Sequence, residues 1–268
     1  MKKLFAIFIA VVLFFGCVSN PYSGKKTMAF IGNSQLFPSS FSQYNDFLNE
    51  STVVTGTADA VMVTRVGSRL ANAAKLWLES EGNYGYLDDY QWEYKLVQDD
   101  IVNAWCMPGG KIVVYTGILP ITQTEEGLAV VLGHEVAHAL LNHGQQRMSA
   151  GLLQQLGAMG IALGTSGFSP EIQSLAMTAY GIGSELGGTL PFSRSHESEA
   201  DHYGLILMAI AGYNPEASVP FWERMAAGGG GGVPQFLSTH PSESTRIKQL
   251  TGWIPEAMQR AAEFNVKF

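Results

Sequence analysis

Residues 128–144, LAVVLGHEVAHALLNHG, form an apolar stretch that carries two histidines one helical turn apart. At about 100° per residue, His134 and His138 differ by about 40° around a helix and about 6 Å along it, so their imidazoles share a face. Two such imidazoles can hold one Zn²⁺, and Glu135 can reach a water molecule that the ion acidifies. The alternative is a helix with two ordinary core or surface histidines, but with only 6 histidines in 268 residues a chance His-Glu-x-x-His is an event on the order of one in a hundred.

The signals around this stretch predict where its helix begins and ends. Thr122, with Glu125 three places later, fits a capping box at the start. Gly144 fits a stop signal at the end. His143 follows His134 by nine residues, which places it about 180° around the helix, so it is predicted to be a surface histidine near the helix end.

A zinc site needs a third protein ligand and an open position for water. The segment at 193–213 is typical of another helix, in which Glu197 and Asp201 are four residues apart and share a face, while Glu199 points away. One carboxylate can bind the ion and the other can hold an imidazole N–H group. His196 and His202 lie nearby, and spacing alone leaves either of them open as a competitor of Glu197.

Hydrophobic periodicity outlines the elements that precede the two-histidine helix. An amphipathic helix is predicted from Thr57 to Leu78, with Val61 as the first residue of its apolar face. Three β-type runs follow it, and the last two flank a Pro-Gly-Gly-Lys turn that favours a hairpin. The three predicted strands lie within residues 91–98, 101–107 and 111–119.

The second half of the chain contains two glycine-rich segments. Residues 148–192 hold only two charges, Glu171 and Glu185, and neither half has the about 20 uninterrupted apolar residues that a membrane span needs. This segment is interpreted as a buried or interfacial helical pair, or as a mobile cover. A further helix is predicted at 215–227, and five glycines at 228–232 predict a flexible joint.

The composition is that of a folded domain and argues against one class of partner. Hydrophobic residues make up 46% of the chain and charged residues only 15%, which is atypical of disorder. The formal net charge is −7, and lysine and arginine do not cluster beyond the first residues. We therefore expect no nucleic-acid partner.

Residues 1–16, MKKLFAIFIAVVLFFG, place two lysines before a short apolar run, which is typical of a secretory signal. The Gly-Cys ending resembles a bacterial lipoprotein signal, so Cys17 is predicted to be lipidated, although Phe14 stands where the usual pattern has leucine. The alternatives are an uncut anchor or ordinary cleavage nearby. If Cys17 carries lipid, Cys106 has no disulfide partner and is interpreted as a small buried hydrophobe.

The segments GHEVAH and SRSHESEADHYG together resemble the gluzincin peptidases, a family that includes the CaaX prenyl proteases, the bacterial heat-shock membrane protease and the mitochondrial overlapping-activity protease. NPYSGKK, NAWCMPGGKIVVYTGIL and THPSESTRI are similar to segments of its periplasmic lipoprotein members. The resemblance implies one Zn²⁺ per chain, held by His134, His138 and Glu197, with Glu135 as general base and Asp201 as a supporting residue of the metal site.

The family resemblance also implies a fold and a domain organisation. The expected fold is compact and α+β, mainly helical, with a short sheet beside the active-site helix. We accordingly divide the chain into a lipoprotein signal at 1–16, a tether and N-terminal arm at 17–55, and a zinc metallopeptidase domain at 56–268.

Several residues outside the two helices gain candidate roles from the same resemblance. The strand at Asn103, Ala104 and Trp105 is similar to the edge that pairs with a substrate backbone, with an ordinary structural hairpin as the alternative. His240 lies in a loop that in periplasmic relatives approaches and can occlude the zinc; otherwise it is a helix-entry residue. Arg246 is similar to a family arginine near the site and can equally serve in a structural ion pair.

The function implied is a zinc endopeptidase that clears unfolded or misassembled envelope proteins on the periplasmic side of a bacterial envelope. Its N-terminal lipid would hold it to a membrane, and Val18 after the cysteine favours the outer one. Arg194 resembles a family arginine that precedes the glutamate ligand, with a structural ion pair as the alternative. The competing hypotheses are an assembly factor or chaperone with a largely occluded zinc site, and a zinc hydrolase of non-peptide substrates.

Overall fold

The computed structural model describes most of the chain from Cys17 onward. The predicted signal and all of the five-glycine joint except Gly228 lie outside the described residues. The described residues are 17–170, 172–174, 177, 190–228, 234–240 and 245–268.

The sheet contains the three predicted strands and one short strand that the sequence did not reveal. Its four strands run in the order β3-β4-β6-β5, where β4 and β6 are parallel and the other pairs antiparallel. The predicted hairpin is therefore confirmed as β5 and β6. A separate antiparallel pair, β1 and β2, was not predicted. The strands are β1 Cys17–Ser19, β2 Lys26–Met28, β3 Val53–Val54, β4 Glu93–Val97, β5 Ala104–Met107 and β6 Lys111–Tyr115.

The hairpin turn depends on glycine at Gly110. Its φ of +92° lies in the region that residues with a Cβ rarely adopt. An added Cβ would also lie 2.7 Å from the indole of Trp92. The turn holds β5 at the free edge of the four-stranded sheet.

Nine α-helices are described, and two short 3₁₀ turns link some of them. They are α1 Asn33–Glu50, α2 Ala58–Ser80, α3 Leu119–Thr122, α4 Glu125–Leu140, α5 His143–Thr165, α6 Leu190–Ile210, α7 Ser218–Ala226, α8 Gln235–Thr239 and α9 Arg246–Glu263, with 3₁₀ turns at Thr116–Ile118 and Pro215–Ala217. In α2, Thr57 accepts a hydrogen bond from the Ala60 N–H as its N-cap, and most of the predicted apolar face is buried. Val61 is an exception, because 55% of its surface is exposed.

Part of the segment interpreted as a tether and arm belongs to the folded core. Helix α1 has 18 residues, and its Leu36, Phe37 and Tyr44 are buried. Tyr44 packs against Val97 and Val113 on the sheet. The interpretation of 17–55 as a tether and N-terminal arm did not anticipate this helix, because its aromatics are scattered singly among polar residues.

The two-histidine helix α4 is shorter than predicted at both ends. Thr124, rather than Thr122, is the N-cap, and its Oγ1 accepts from the Gly127 N–H at 3.1 Å. The helix ends at Leu140 because Asn142 adopts a φ of +58°, and α5 then begins at His143. The predicted stop at Gly144 was therefore wrong.

Helix α4 lies in the centre of the molecule, where every residue from Gly127 to Leu140 is buried. It packs against α6, α2 and β5. The closest approach is between two glycines on α4 and α6. A Cβ added to Gly133 would lie 2.7 Å from the Gly204 carbonyl oxygen, and one added to Gly204 would lie 2.7 Å from the His134 backbone nitrogen. This glycine contact brings the two helices together at the height of His134.

The segment predicted as a buried or interfacial pair is only partly described. Helix α5 continues to Thr165, and its Met148, Leu152, Leu156 and Met159 are exposed, so burial is wrong for this part of the segment. Residues 171, 175–176 and 178–189 of the segment lie outside the described part of the chain. Among the helices that the structure describes, none combines the length and the apolar character that a membrane crossing requires.

Candidate metal centre

Four side chains from three parts of the chain converge at one buried point. His134 and His138 come from α4, Glu197 from α6, and His240 from the residue that follows α8. Nε2 of His134 lies 3.0 Å from Nε2 of His138 and 3.3 Å from Oε2 of Glu197, and Nε2 of His138 lies 3.3 Å from Oε1 of Glu197. Spacing alone had left Glu197, His196 and His202 open as the third ligand, and of these Glu197 lies in the cluster.

The separations and chemistry of these atoms fit a zinc ion. Zinc binds histidine nitrogen and carboxylate oxygen at about 2.0–2.2 Å, and a tetrahedron of that size has edges of about 3.3–3.6 Å. The two histidine nitrogens are 3.0 Å apart, and each lies 3.3 Å from a different carboxylate oxygen of Glu197. Two imidazoles and one carboxylate are also a common donor set for a zinc ion that retains one open position.

His240 lies at the fourth corner of this arrangement. Its Nδ1 is 3.3 Å from Nε2 of His134 and 3.2 Å from both carboxylate oxygens of Glu197. Its Nε2 lies 3.3 Å from Oε1 of Glu135. A metal with these three protein ligands would therefore find a fourth nitrogen where a catalytic site keeps water.

Asp201 and Arg246 form the layer behind the cluster. Oδ1 of Asp201 is 2.9 Å from Nδ1 of His134, and Arg246 donates from Nε to Oδ2 of Asp201 at 2.6 Å. The same guanidinium donates to Oε2 of Glu197 at 3.3 Å and lies 4.0 Å above the Trp222 ring. Both predicted supporting residues are thus in contact with the cluster. Arg194, by contrast, is exposed.

The surrounding charges shift the pKa values of the cluster in opposite directions. Burial lowers the pKa of His134, but hydrogen bonds to Asp201 and Glu197 outweigh this effect and raise it to about 9. For Glu197, burial is opposed by the three histidines, which hold its pKa well below the usual range. Burial lowers the pKa of His138 more than Glu197 raises it. His138 is therefore neutral and Glu197 ionised, the states that metal ligation requires, whereas His134 has to release a proton before it can ligate an ion.

Glu135 is buried beside the cluster, and β5 holds it there. Its carboxylate accepts a backbone hydrogen bond from Cys106, and burial raises its pKa although His240 and His134 oppose the shift. Cys106 had been interpreted only as a small buried hydrophobe. Burial does raise the pKa of its thiol well above the ordinary value, and its backbone contact with Glu135 was not predicted.

The strand proposed to bind substrate runs past Glu135 along the free edge of the sheet. Ala104 is buried in the main core, and Asn103 uses its side-chain oxygen to accept from the Ala104 N–H at 3.0 Å. The Trp105 side chain belongs to a second cluster with Phe47 and Tyr115, and its indole donates to the Tyr115 hydroxyl at 3.2 Å. The Trp105 ring is thus occupied in this second cluster. Only the main chain of the strand is available to a substrate near the four-residue metal centre.

His143 lies in a position that the sequence did not predict. It is fully buried, and its Nδ1 is 2.8 Å from Nδ1 of His138. The prediction of a surface histidine was wrong because it extended α4 through Asn142, where the chain turns. His196 is also buried and stacks on His143, with ring centroids 4.0 Å apart. His202 is half-buried away from the cluster and pairs with Glu256 at 2.8 Å.

Comparison with known proteins agrees with this geometry. Residues 60–254 match the sequence model of Peptidase family M48. The chain is similar to the mitochondrial metalloendopeptidase OMA1 of Schizosaccharomyces pombe, with 37% identity over 173 residues that cover 64% of this chain and 49% of that protein. It is 29% identical to the metalloprotease YcaL of Escherichia coli over 73% of each chain. It is also 29% identical to the β-barrel assembly-enhancing protease of Yersinia pestis, over 58% of this chain and 32% of that protein.

The family match and the four-residue cluster confirm the resemblance to the gluzincin peptidases, and the structure confirms the mainly helical α+β fold. The chain belongs to peptidase family M48, whose metalloproteases depend on zinc. It spans about half the length of the OMA1 relatives that it matches.

Proposed function

We propose that this protein is a zinc endopeptidase in which His134, His138 and Glu197 hold a single zinc ion. The observation that carries the proposal is that two histidine nitrogens lie 3.0 Å apart and that each lies 3.3 Å from an oxygen of the Glu197 carboxylate, all on buried side chains. The relatives OMA1 and YcaL, named as metalloproteases, support the same reaction.

Each neighbouring residue has a task that follows from its contacts. A zinc ion bound here would polarise a peptide carbonyl and acidify a water molecule. Glu135, whose pKa burial raises, is the general base that takes a proton from water. Asp201 accepts the Nδ1–H of His134 and so keeps Nε2 of that ring free to ligate. Arg246 neutralises the Asp201 and Glu197 carboxylates.

The substrate is proposed to bind as an extended chain along β5. Strand addition at the free edge formed by Asn103, Ala104 and Trp105 would use main-chain hydrogen bonds, which read little side-chain information, and a substrate would have to displace the Asn103 side chain from the Ala104 N–H. That mode suits unfolded proteins of varied sequence. The backbone contact between Cys106 and Glu135 links this edge to the general base.

We also propose a location at the bacterial cell envelope. The apolar run before Cys17 supports export and lipidation of that cysteine, with Val18 favouring an outer-membrane attachment on the periplasmic side. The similarity to a protease named for β-barrel assembly supports misassembled envelope proteins as substrates. Mass spectrometry of the mature N-terminus tests the anchor, and an unmodified Cys17 thiol would rule it out.

A second function is favoured by the position of His240. With its Nδ1 at the fourth corner and its Nε2 on Glu135, the His240 ring lies where water and substrate would have to enter. A protein that stayed closed would act as an assembly factor or chaperone that binds envelope proteins without cutting them.

The exchange of Glu135 for glutamine separates these functions. Glu135→Gln should keep the zinc content, because the residue is not a ligand, and should lower casein cleavage by roughly 10²–10⁴-fold. Metal analysis and a casein assay on both proteins give the result. A wild-type protein without zinc or cleavage would contradict the peptidase, and an assembly phenotype that survives Glu135→Gln would favour the chaperone.

A further inference from the structure

His143 connects a proposed zinc ligand to a carboxylate on another helix. Its Nδ1 lies 2.8 Å from Nδ1 of His138, the ring nitrogen that faces away from the cluster. Its Nε2 lies 3.2 Å from Oε2 of Glu199 on α6. Glu199 also pairs with Lys25 from the N-terminal β1–β2 hairpin. The contacts form one chain from Lys25 through Glu199 and His143 to His138.

The direction of each hydrogen bond in this chain follows from chemistry. An ionised carboxylate only accepts, so Nε2 of His143 must donate its proton to Glu199. Glu199 also pairs with the Lys25 ammonium, a partner that favours the ionised carboxylate. One proton of the His143 ring is therefore fixed on Nε2.

The geometry leaves the second ring nitrogen of His143 as an acceptor. Nε2 of His138 faces His134 and Glu197, so a ligating His138 carries its proton on Nδ1, the atom that faces His143. The His143 ring also stacks on that of His196, with an interplanar angle of 10° and ring centroids 4.0 Å apart. One face of the His143 ring is therefore covered by a second imidazole. With one proton on Nε2, Nδ1 of His143 is an acceptor, and Nδ1 of His138 must be the donor.

We propose that His143 and Glu199 are positioning residues that place the proton of His138 on Nδ1 and leave the lone pair of Nε2 directed at the metal. The inference rests on the proposed function, because it assigns a task relative to the zinc ion. His134 obtains the same orientation directly from Asp201. Each imidazole ligand thus has its own carboxylate: Asp201 orients His134 directly, and Glu199 orients His138 through His143.

The opposite arrangement would interfere with metal binding. If Nδ1 of His143 carried the proton, it would donate to Nδ1 of His138, and the remaining proton of His138 would move to Nε2. That atom lies 3.0 Å from Nε2 of His134 and 3.3 Å from Glu197, inside the cluster. A proton there would have to leave before an ion could bind.

The variant Glu199→Gln tests this assignment. An amide can donate to Nε2 of His143, so the ring is no longer held in one tautomer. We expect zinc affinity, measured by competition with a chromogenic chelator, to fall by about 10–100-fold. We also expect ¹⁵N NMR of labelled, zinc-free protein to show that the Nδ1–H form of His138 decreases. The matched control is Glu256→Gln. Glu256 pairs with His202, which lies on α6 like Glu199 but outside the metal cluster.

A second pair of variants guards against a simple folding defect. His143→Leu removes the relay, whereas His143→Gln keeps an oxygen to accept from His138 and an amide to donate to Glu199. We expect the leucine variant to lose zinc affinity and the glutamine variant to recover most of it at equal circular dichroism. If Glu199→Gln and His143→Leu both bind zinc within twofold of the wild type, the relay is overturned while the peptidase stands. A wild-type protein that takes up no zinc would overturn both.

Discussion

Nδ1 of His240 lies 3.3 Å from Nε2 of His134, the same separation that Nε2 of His134 keeps from Oε2 of Glu197. A residue that follows a five-residue helix thus lies at the fourth corner of the proposed zinc tetrahedron. Since the other ring nitrogen faces Glu135, His240 blocks both the open position and the general base.

We therefore predict that His240→Ala increases peptidase activity. Removing one charge-assisted contact of about 1.4 kcal/mol from the closed state would raise the open population, and with it casein cleavage, by about tenfold. The measurement is the initial rate at fixed zinc content. His202→Ala, in the half-buried pair with Glu256, is the control. A rate that falls or stays unchanged would mean that His240 does not close the site.

Arg246 is predicted to be essential for stability as well as for the geometry of the site. Its buried guanidinium pairs with both Asp201 and Glu197, so Arg246→Met would remove the cationic partner that these two buried carboxylates share. Breaking a buried ion pair in this way costs about 3–5 kcal/mol in the free energy of unfolding. Urea unfolding measures the loss. Arg65→Met, which removes an exposed partner of Glu125, should change the unfolding midpoint little.

The contact between Gly133 and Gly204 is predicted to control how closely the ligand helices approach. In Gly204→Ala the new Cβ would meet the backbone of His134, which cannot move aside as a side chain can. We expect a loss of about 1–3 kcal/mol in unfolding free energy together with weaker zinc binding, because α6 carries Glu197.

Gly160→Ala on α5 is the control for this substitution. A Cβ at that position meets nothing within 4 Å, so stability should hold or rise slightly. Thermal unfolding with and without added zinc separates the two effects. Equal zinc affinity in Gly204→Ala and the wild type would show that the helix spacing is not what places Glu197.

The sequence predicted the parts of the site that depend on a single helix. His134 and His138 share a face because of helical periodicity alone, and Asp201 and Glu197 do so for the same reason. Periodicity could not choose Glu197 over His196 or His202, because that choice depends on how α6 is rotated against α4. The glycine contact between the helices sets this rotation, and no local pattern encodes it.

The errors arose where the chain departs from a regular helix. Asn142 adopts a left-handed conformation that the sequence signal at Gly144 did not indicate, and this turn moves His143 from the predicted surface into the core. Similarly, α1 was missed because its buried aromatics are separated by polar residues. The relay through His143 and Glu199 was consequently out of reach of periodicity arguments.

The ion pair at the start of α4 should make stability depend on pH. Arg65 donates to both oxygens of Glu125, from Nε at 3.0 Å and from Nη2 at 2.5 Å, and Tyr213 donates its hydroxyl at 2.7 Å. The hydrogen bond from Arg65 is the largest of the effects that lower the pKa of Glu125. A carboxyl whose pKa is lower in the folded than in the unfolded state stabilises the fold at neutral pH, and it loses this contribution as the pH falls from the ordinary carboxyl range through the folded-state pKa.

We therefore predict that Glu125→Gln lowers the thermal midpoint at pH 7 by on the order of one or two degrees, and that the difference from the wild type shrinks below about pH 4. Thermal unfolding of both proteins at a series of pH values measures this difference. Because the pair is near the surface, 1 M salt should reduce the difference at pH 7 as well. Glu50→Gln, at the exposed end of α1, controls for the removal of a negative charge alone. A midpoint difference that is the same at pH 7 and pH 3 would show that the Glu125 carboxylate contributes no pH-dependent stability.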